Sequence, residues 1–238
     1  MTTSIAHQSI EELGGPTSIL ARQRSDHERL DHLMTRARET EAAGGLEHEQ
    51  VLRAVARLVF THAFAEESVL FPAARKALPE GDPLTLEIEE EHQEVNEVMT
   101  ELDRSEPGDP GRHALMERAF TVLDQDVRDE EDRLLPRLQE LMTPQQLRAQ
   151  GWQWWALRRT SPTRPHPMVS RRPPGQVLSA LPLTVLDRSR DALQVLNERT
   201  DRRMNHLIGP ADQALATAAG AVERLPIMRK GDKAPTSR

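Results

Sequence analysis

The chain has 238 residues, no cysteine, 37% hydrophobic residues and a formal net charge of −7, which excludes disulfides and thiolate metal sites. No run of ~18 apolar residues offers a membrane span. The first residues lack a charged region followed by an apolar one, so no secretory signal is read and the cytoplasm is the expected compartment.

In chain order, residues 1–15 are expected to form a flexible N-terminus. A first helix is expected from Pro16-Thr17 to just before Gly44-Gly45, a second from Leu46 to Lys76, a third from Leu84 to Asp103 and a fourth from Arg112 to Met142. Clusters of Pro and Gly mark each boundary. Short connections between long amphipathic segments imply antiparallel neighbours. The fold expected for residues 16–142 is therefore all-α, an up-down-up-down four-helix bundle. Residues 143–175 read as a Trp-, Pro- and Arg-rich linker whose first part, with Trp152, Trp154 and Trp155, is helical. Residues 176–204 read as an amphipathic helix and residues 205–238 as a flexible tail, giving the bundle a partly helical C-terminal extension.

Charge divides along the same line. Residues 1–142 carry 15 basic and 31 acidic side chains, a net of −16, whereas residues 143–238 carry 16 and 7, a net of +9. The expected outcome is a basic extension lying against the acidic bundle or solvated. No recognition module accompanies its arginines, so nucleic acid is not an expected partner.

A motif occurs twice with an offset of 64. His62-Ala-Phe-Ala-Glu66-Glu67-Ser-Val-Leu70-Phe71-Pro72 matches Asp126-Val-Arg-Asp-Glu130-Glu131-Asp-Arg-Leu134-Leu135-Pro136. Lone histidines, His27 and His92, precede the two copies by 35 and 34 residues. Positions four apart share a helix face, so His62 can act with Glu66, and Asp126 with Glu130. These polar groups fall on apolar stripes: Val55, Val59, His62, Glu66, Val69 and Ala73 on the second helix, and Leu115, Ala119, Val122, Asp126, Glu130 and Leu134 on the fourth. Buried carboxylates and imidazoles need a counter-charge, and a metal cation or a pair of them supplies it most simply. Mixed nitrogen and oxygen donors suit iron, manganese or zinc. Pro72 and Pro136 are expected to kink or end their helices.

These residues resemble the hemerythrin-like, HHE cation-binding proteins, in which a histidine in a DHxxL context and an HxxxEExxLFP motif are each repeated. Asp26-His27-Glu-Arg-Leu30 and Glu91-His92 match the first element, and the long motif is complete from His62 to Pro72. The resemblance spans about residues 16–142. It implies a non-haem di-iron centre with His27, His62 and His92 as terminal ligands and Glu66 and Glu130 as bridges. Asp126 stands where the family pattern has histidine, so it is the sixth candidate ligand and makes one-metal and two-metal sites open alternatives. A small diatomic or peroxide ligand is the implied partner, and the protein partner of the basic extension is not identified. A metal- and oxygen-binding role is favoured over a dedicated enzyme. The alternatives are a peroxide-decomposing or ferroxidase-like enzyme and a metal-free scaffold.

Asp31 and Asn96, four residues beyond His27 and His92, are candidate outer groups. Glu67 and Glu131, one residue past the bridging positions, are expected to point about 100° away toward solvent or a neighbouring helix. His7, His32, His48, His113 and His206 are expected at the surface. His166 is expected to be a packing or capping residue, and the tryptophans a core or docking patch.

Overall fold

The computed structural model describes residues 3–200 and 203–236. Among them there is no strand, and none of the helices is long and apolar enough to cross a membrane. The bundle helices are α1 (Ile19–Glu41), α2 (Gly45–Ala65), α3 (Phe71–Ala77), α4 (Gly81–Arg104), α5 (Arg112–Asp129) and α6 (Leu135–Leu141). Ser18 starts α1 by accepting a hydrogen bond from the Ala21 N–H, satisfying one of the free donors of the first turn. Gly44 and Gly45, both at positive φ, make the turn between α1 and α2.

α2 and α3, and likewise α5 and α6, are joined by one π-helical turn, Glu66–Leu70 and Glu130–Leu134. The Phe71 N–H reaches the Glu66 carbonyl and the Leu135 N–H the Glu130 carbonyl, an i to i+5 pattern repeated in both halves. Proline follows at once in each case. Pro72 and Pro136 have no N–H to donate and would crowd the carbonyl four residues back in a regular helix, and the wider turn relieves this. The prolines therefore end neither helix, which continues to Ala77 and to Leu141.

The extra residue also moves the buried stripe. Below Glu66 the buried positions are Glu67, Leu70, Phe71 and Ala74, while Val69 and Ala73, expected inside, are only half-buried. The stripes of α1 and α4 run as expected, with Leu20, His27, Leu30 and Met34 buried on one and Ile88, His92, Val95, Met99 and Leu102 on the other.

Two apolar clusters fill the bundle. One contains Ile5, Leu13, Leu20, Leu70, Phe71, Leu134, Leu135 and Trp154. The other contains Leu30, Met34, Val55, Val59, Val95, Met99, Ala119 and Phe120. His27 lies between Leu20 and Leu30 in sequence, and His92 between Ile88 and Val95, so the polar residues form a layer between the two clusters.

Both expected flexible ends differ from the sequence reading over their described residues. Ile5 and Leu13 are fully buried, which ties the N-terminal segment to the first cluster. Beyond the bundle lie α7 (Pro144–Arg158), α8 (Gly175–Arg199) and α9 (Asn205–Glu223), the last within the stretch expected to be a tail. A capping box of Thr143 and Gln146 starts α7. Its Gly151 sits so close to α1 that a Cβ there would lie 2.1 Å from the Thr17 carbonyl oxygen. α8 and α9 pack through Leu183, Leu186, Ala219 and Val222, tied by an Arg190–Asp212 pair.

The basic extension does lie against the acidic bundle. Buried Arg172 bonds Glu89 through Nε (2.7 Å) and also pairs with Asp82, and Arg171 approaches Glu67 at 3.6 Å. His166 donates to a carboxylate on each side, Asp187 and Glu223, and its backbone N–H donates to Asn96 Oδ1 at 2.9 Å.

Candidate metal centre

Four helical stretches bring His27, His62, His92, Glu66, Asp126 and Glu130 to one level, all of them buried. Nitrogen and oxygen atoms of His27, His62, Glu66 and Glu130 lie within 4.8 Å of one another, as do those of His92, Asp126 and Glu130. Glu130 thus belongs to both groups. Glu66 spans them as well, with Oε1 3.0 Å from His62 Nε2 and Oε2 3.6 Å from His92 Nε2. On the other side, Glu130 Oε2 is 3.2 Å from His27 Nε2 and Asp126 Oδ1 is 3.4 Å from His92 Nε2.

Each histidine turns its other nitrogen to a carboxylate. His27 Nδ1 is 2.8 Å from Glu131 Oε1, His62 Nδ1 3.1 Å from Asp26 Oδ2, and His92 Nδ1 3.0 Å from Glu67 Oε1. A carboxylate is an acceptor, so these contacts fix the proton on Nδ1 and leave the Nε2 lone pair of a neutral ring facing the centre. His27 Nε2 and His62 Nε2 then face each other at 3.3 Å. Two lone pairs at that distance repel unless a cation or a proton lies between them.

Unmet hydrogen bonds give a second test of fit. Glu66 Oε2, both carboxylate oxygens of Glu130, Asp126 Oδ1 and His92 Nε2 are buried with no hydrogen-bond partner. Leaving one buried polar group unpaired costs about 1–3 kcal/mol, so five such atoms at one level make a site suited to a bound ligand. A divalent or trivalent cation satisfies the lone pairs and the carboxylates together. The donor set fits a metal.

Electrostatics agree. Burial works against the charged form of His27, but the nearby carboxylates of Glu130 and Glu131 outweigh it and lift its pKa to about 10. Burial is likewise overcome at His62 by Glu66 and Asp26, which lift it to about 9. Glu66 is held below the usual carboxylate range because the surrounding imidazoles, His62 foremost, outweigh its burial. Burial, with the charges of Glu66 and Asp126, pushes Glu130 up. The cluster thus draws in protons in place of a cation.

All six residues singled out in the sequence meet here. The surrounding partners were largely missed. Glu67 and Glu131, expected to point away, face inward because the π turn brings successive glutamates onto the inner side. The repeated Glu-Glu doublet was the available signal. Asp26, legible in its adjacency to His27, serves His62 on the next helix instead. Gln23 donates to Glu66 Oε1, and Gln176, from the extension, donates to Glu67 Oε2 at 2.8 Å. Trp154 meets the His62 ring edge-on with centroids 5.5 Å apart, and Phe71 stacks on His92 at 5.6 Å.

Asp31 is exposed. Asn96 turns its amide to the His92 carbonyl and its oxygen to His166, so it docks the extension against the bundle. His48, expected at the surface, is buried with Nδ1 3.2 Å from Thr40 Oγ1. Beside the ligands is a cavity of about 20 Å³, walled by Leu30, Leu58, Val59, Val95, Leu123 and Val127 among others.

No curated protein and no solved structure matches the chain. The family model "Hemerythrin HHE cation binding domain" matches residues 18–138, just over half of the chain and all six core residues. The chain belongs to the hemerythrin HHE cation-binding family.

Proposed function

We propose that this protein holds two metal ions, iron in the first place, and binds or reacts with a small oxidant (dioxygen, peroxide or nitric oxide) in redox sensing or protection. His27, His62 and His92 would be terminal ligands, Glu66 and Glu130 bridges, and Asp126 the sixth ligand, within an antiparallel up-down-up-down bundle. The observation that carries this reading is the set of unpartnered buried atoms around two overlapping donor groups that share Glu130. When bound, a pair of redox-active metal ions offers electrons and open coordination positions to a small ligand.

The protein's own part is positioning and exclusion. Glu131, Asp26 and Glu67 hold the three imidazoles in one tautomer, and Trp154 and Phe71 fix two of the rings. The apolar cavity of about 20 Å³ has room for one molecule the size of water or a diatomic, which supports a small ligand over an organic substrate. Asp126 makes the donor set more anionic than one with a fourth histidine, favouring the oxidised state of iron and hard metals such as manganese over reversible oxygen carriage.

Elemental analysis and the visible spectrum of protein purified without chelators test this reading. About two iron ions per chain are expected, falling to about one in Asp126→Ala, with the His27 and His62 group retained. Undiminished metal content in that variant would remove Asp126 from the ligand set. No stoichiometric metal in the parent protein would leave a helical scaffold.

A further inference from the structure

Between α1, α2, α7 and α8 lies a cleft of about 560 Å³ that is separate from the metal-ligand layer. Six arginines line it in a protein of net charge −7, against a single carboxylate, Asp26. Arg29, Arg57 and Arg159 are exposed at its rim, while Arg22, Arg158 and Arg188 are partly buried. Ser25, Thr61 and Thr163 add hydroxyls.

Only two of the arginines have acidic partners among the described residues: Arg57 pairs with Asp191, and Arg158 with Asp26. Arg22 and Arg188 make one long bond each to backbone carbonyls, to Thr17 at 3.4 Å and Ser161 at 3.5 Å. The Nε atoms of Arg158 and Arg188 are buried without any partner. Arg22 is held below its usual pKa by burial, with the Arg158 charge adding to the effect and Asp26 opposing it.

Two of the guanidinium groups are also stacked on indole rings. Arg158 lies over the Trp154 ring at 4.6 Å and Arg159 over Trp155 at 3.6 Å. Stacking leaves the N–H edge of Arg159 open, whereas Arg158 turns its edge to Asp26 and Thr61, and such a planar fork matches two phosphate oxygens. Six like charges gathered with only two acidic partners are costly unless an anion joins them, and the concave shape suits a small ligand better than a nucleic acid strand.

We infer that this cleft is a binding site for a small diphosphate-bearing anion, held by Arg22, Arg29, Arg158, Arg159 and Arg188. The diphosphate is either free or carried on a nucleotide. An anion seated there lies beside the Arg158–Asp26 pair, and Asp26 in turn holds His62 Nδ1, so the cleft stands two contacts from the metal layer.

Trp154 and Trp155 line the cleft and provide a fluorescence readout. The full-length protein would be titrated with inorganic pyrophosphate, ADP, citrate and a short single-stranded oligonucleotide in phosphate-free buffer, with calorimetry as a second measure. The expected result is saturable pyrophosphate or ADP binding, weakened about tenfold or more in Arg29→Gln/Arg159→Gln and unchanged in the charge-matched control Arg104→Gln/Arg148→Gln. Tighter binding of ADP would assign a nucleotide, and equal binding the free diphosphate. The inference is overturned by no saturable binding, by equal weakening in the control, by citrate binding as tightly as pyrophosphate, or by binding confined to the oligonucleotide.

Discussion

The buried His166 should make attachment of the C-terminal extension depend on pH. Its Nε2 is 3.0 Å from Asp187 Oδ2 and its Nδ1 3.0 Å from Glu223 Oε1. Both nitrogens therefore donate to carboxylates, which only the imidazolium can do. Burial alone would lower its pKa, but Asp187 and Glu223 outweigh that and raise it from 6.5 to about 9. Because the folded value lies above the unfolded one, the contribution is complete below pH 6.5 and is lost as the pH rises through about 9. At about 1.4 kcal/mol per pKa unit, the contribution is at most about 3–4 kcal/mol.

Denaturant unfolding of the parent protein and of His166→Gln across that range measures it. Titration of the ligand histidines is common to both proteins and cancels in the difference. The parent should be more stable by up to about 3–4 kcal/mol at the acid end, and the gap should close above pH 9. A gap that stays constant across the window would show that His166 is not held as an imidazolium, and the reasoning would fail.

Two further perturbations test the site and its support. Glu67→Gln keeps the shape of the side chain but weakens its hold on His92 Nδ1, so metal affinity measured by chelator competition should fall roughly tenfold. Unchanged affinity would show that the outer carboxylate does not matter. Gly151→Ala places a methyl group against the Thr17 carbonyl and should destabilise the fold by roughly 1–3 kcal/mol. An unaltered urea midpoint would mean that α7 does not pack closely on α1.

Local spacing carried much of the fold and the innermost site. The 64-residue repeat, the histidines on apolar stripes, and the Pro and Gly boundaries made the helices, the six core residues and the family legible, because a helix turns the same way wherever its period holds. That period fails at Glu66–Leu70 and Glu130–Leu134. One added residue per turn carried Glu67 inward and displaced Val69, which a constant 3.6-residue repeat cannot foresee. Tertiary structure alone decided which carboxylate serves which histidine. Glu131 reaches His27 across 104 positions, and Asp26 reaches His62 on another helix rather than its own neighbour. The same holds for the extension, whose proline-rich stretch has no periodicity of its own. Arg172 finds Glu89, Gln176 finds Glu67, and His166 finds Asp187 and Glu223 only once the bundle has gathered its acidic side chains on one surface. Such pairings depend on distances between segments far apart in sequence, and these exist only in the folded chain.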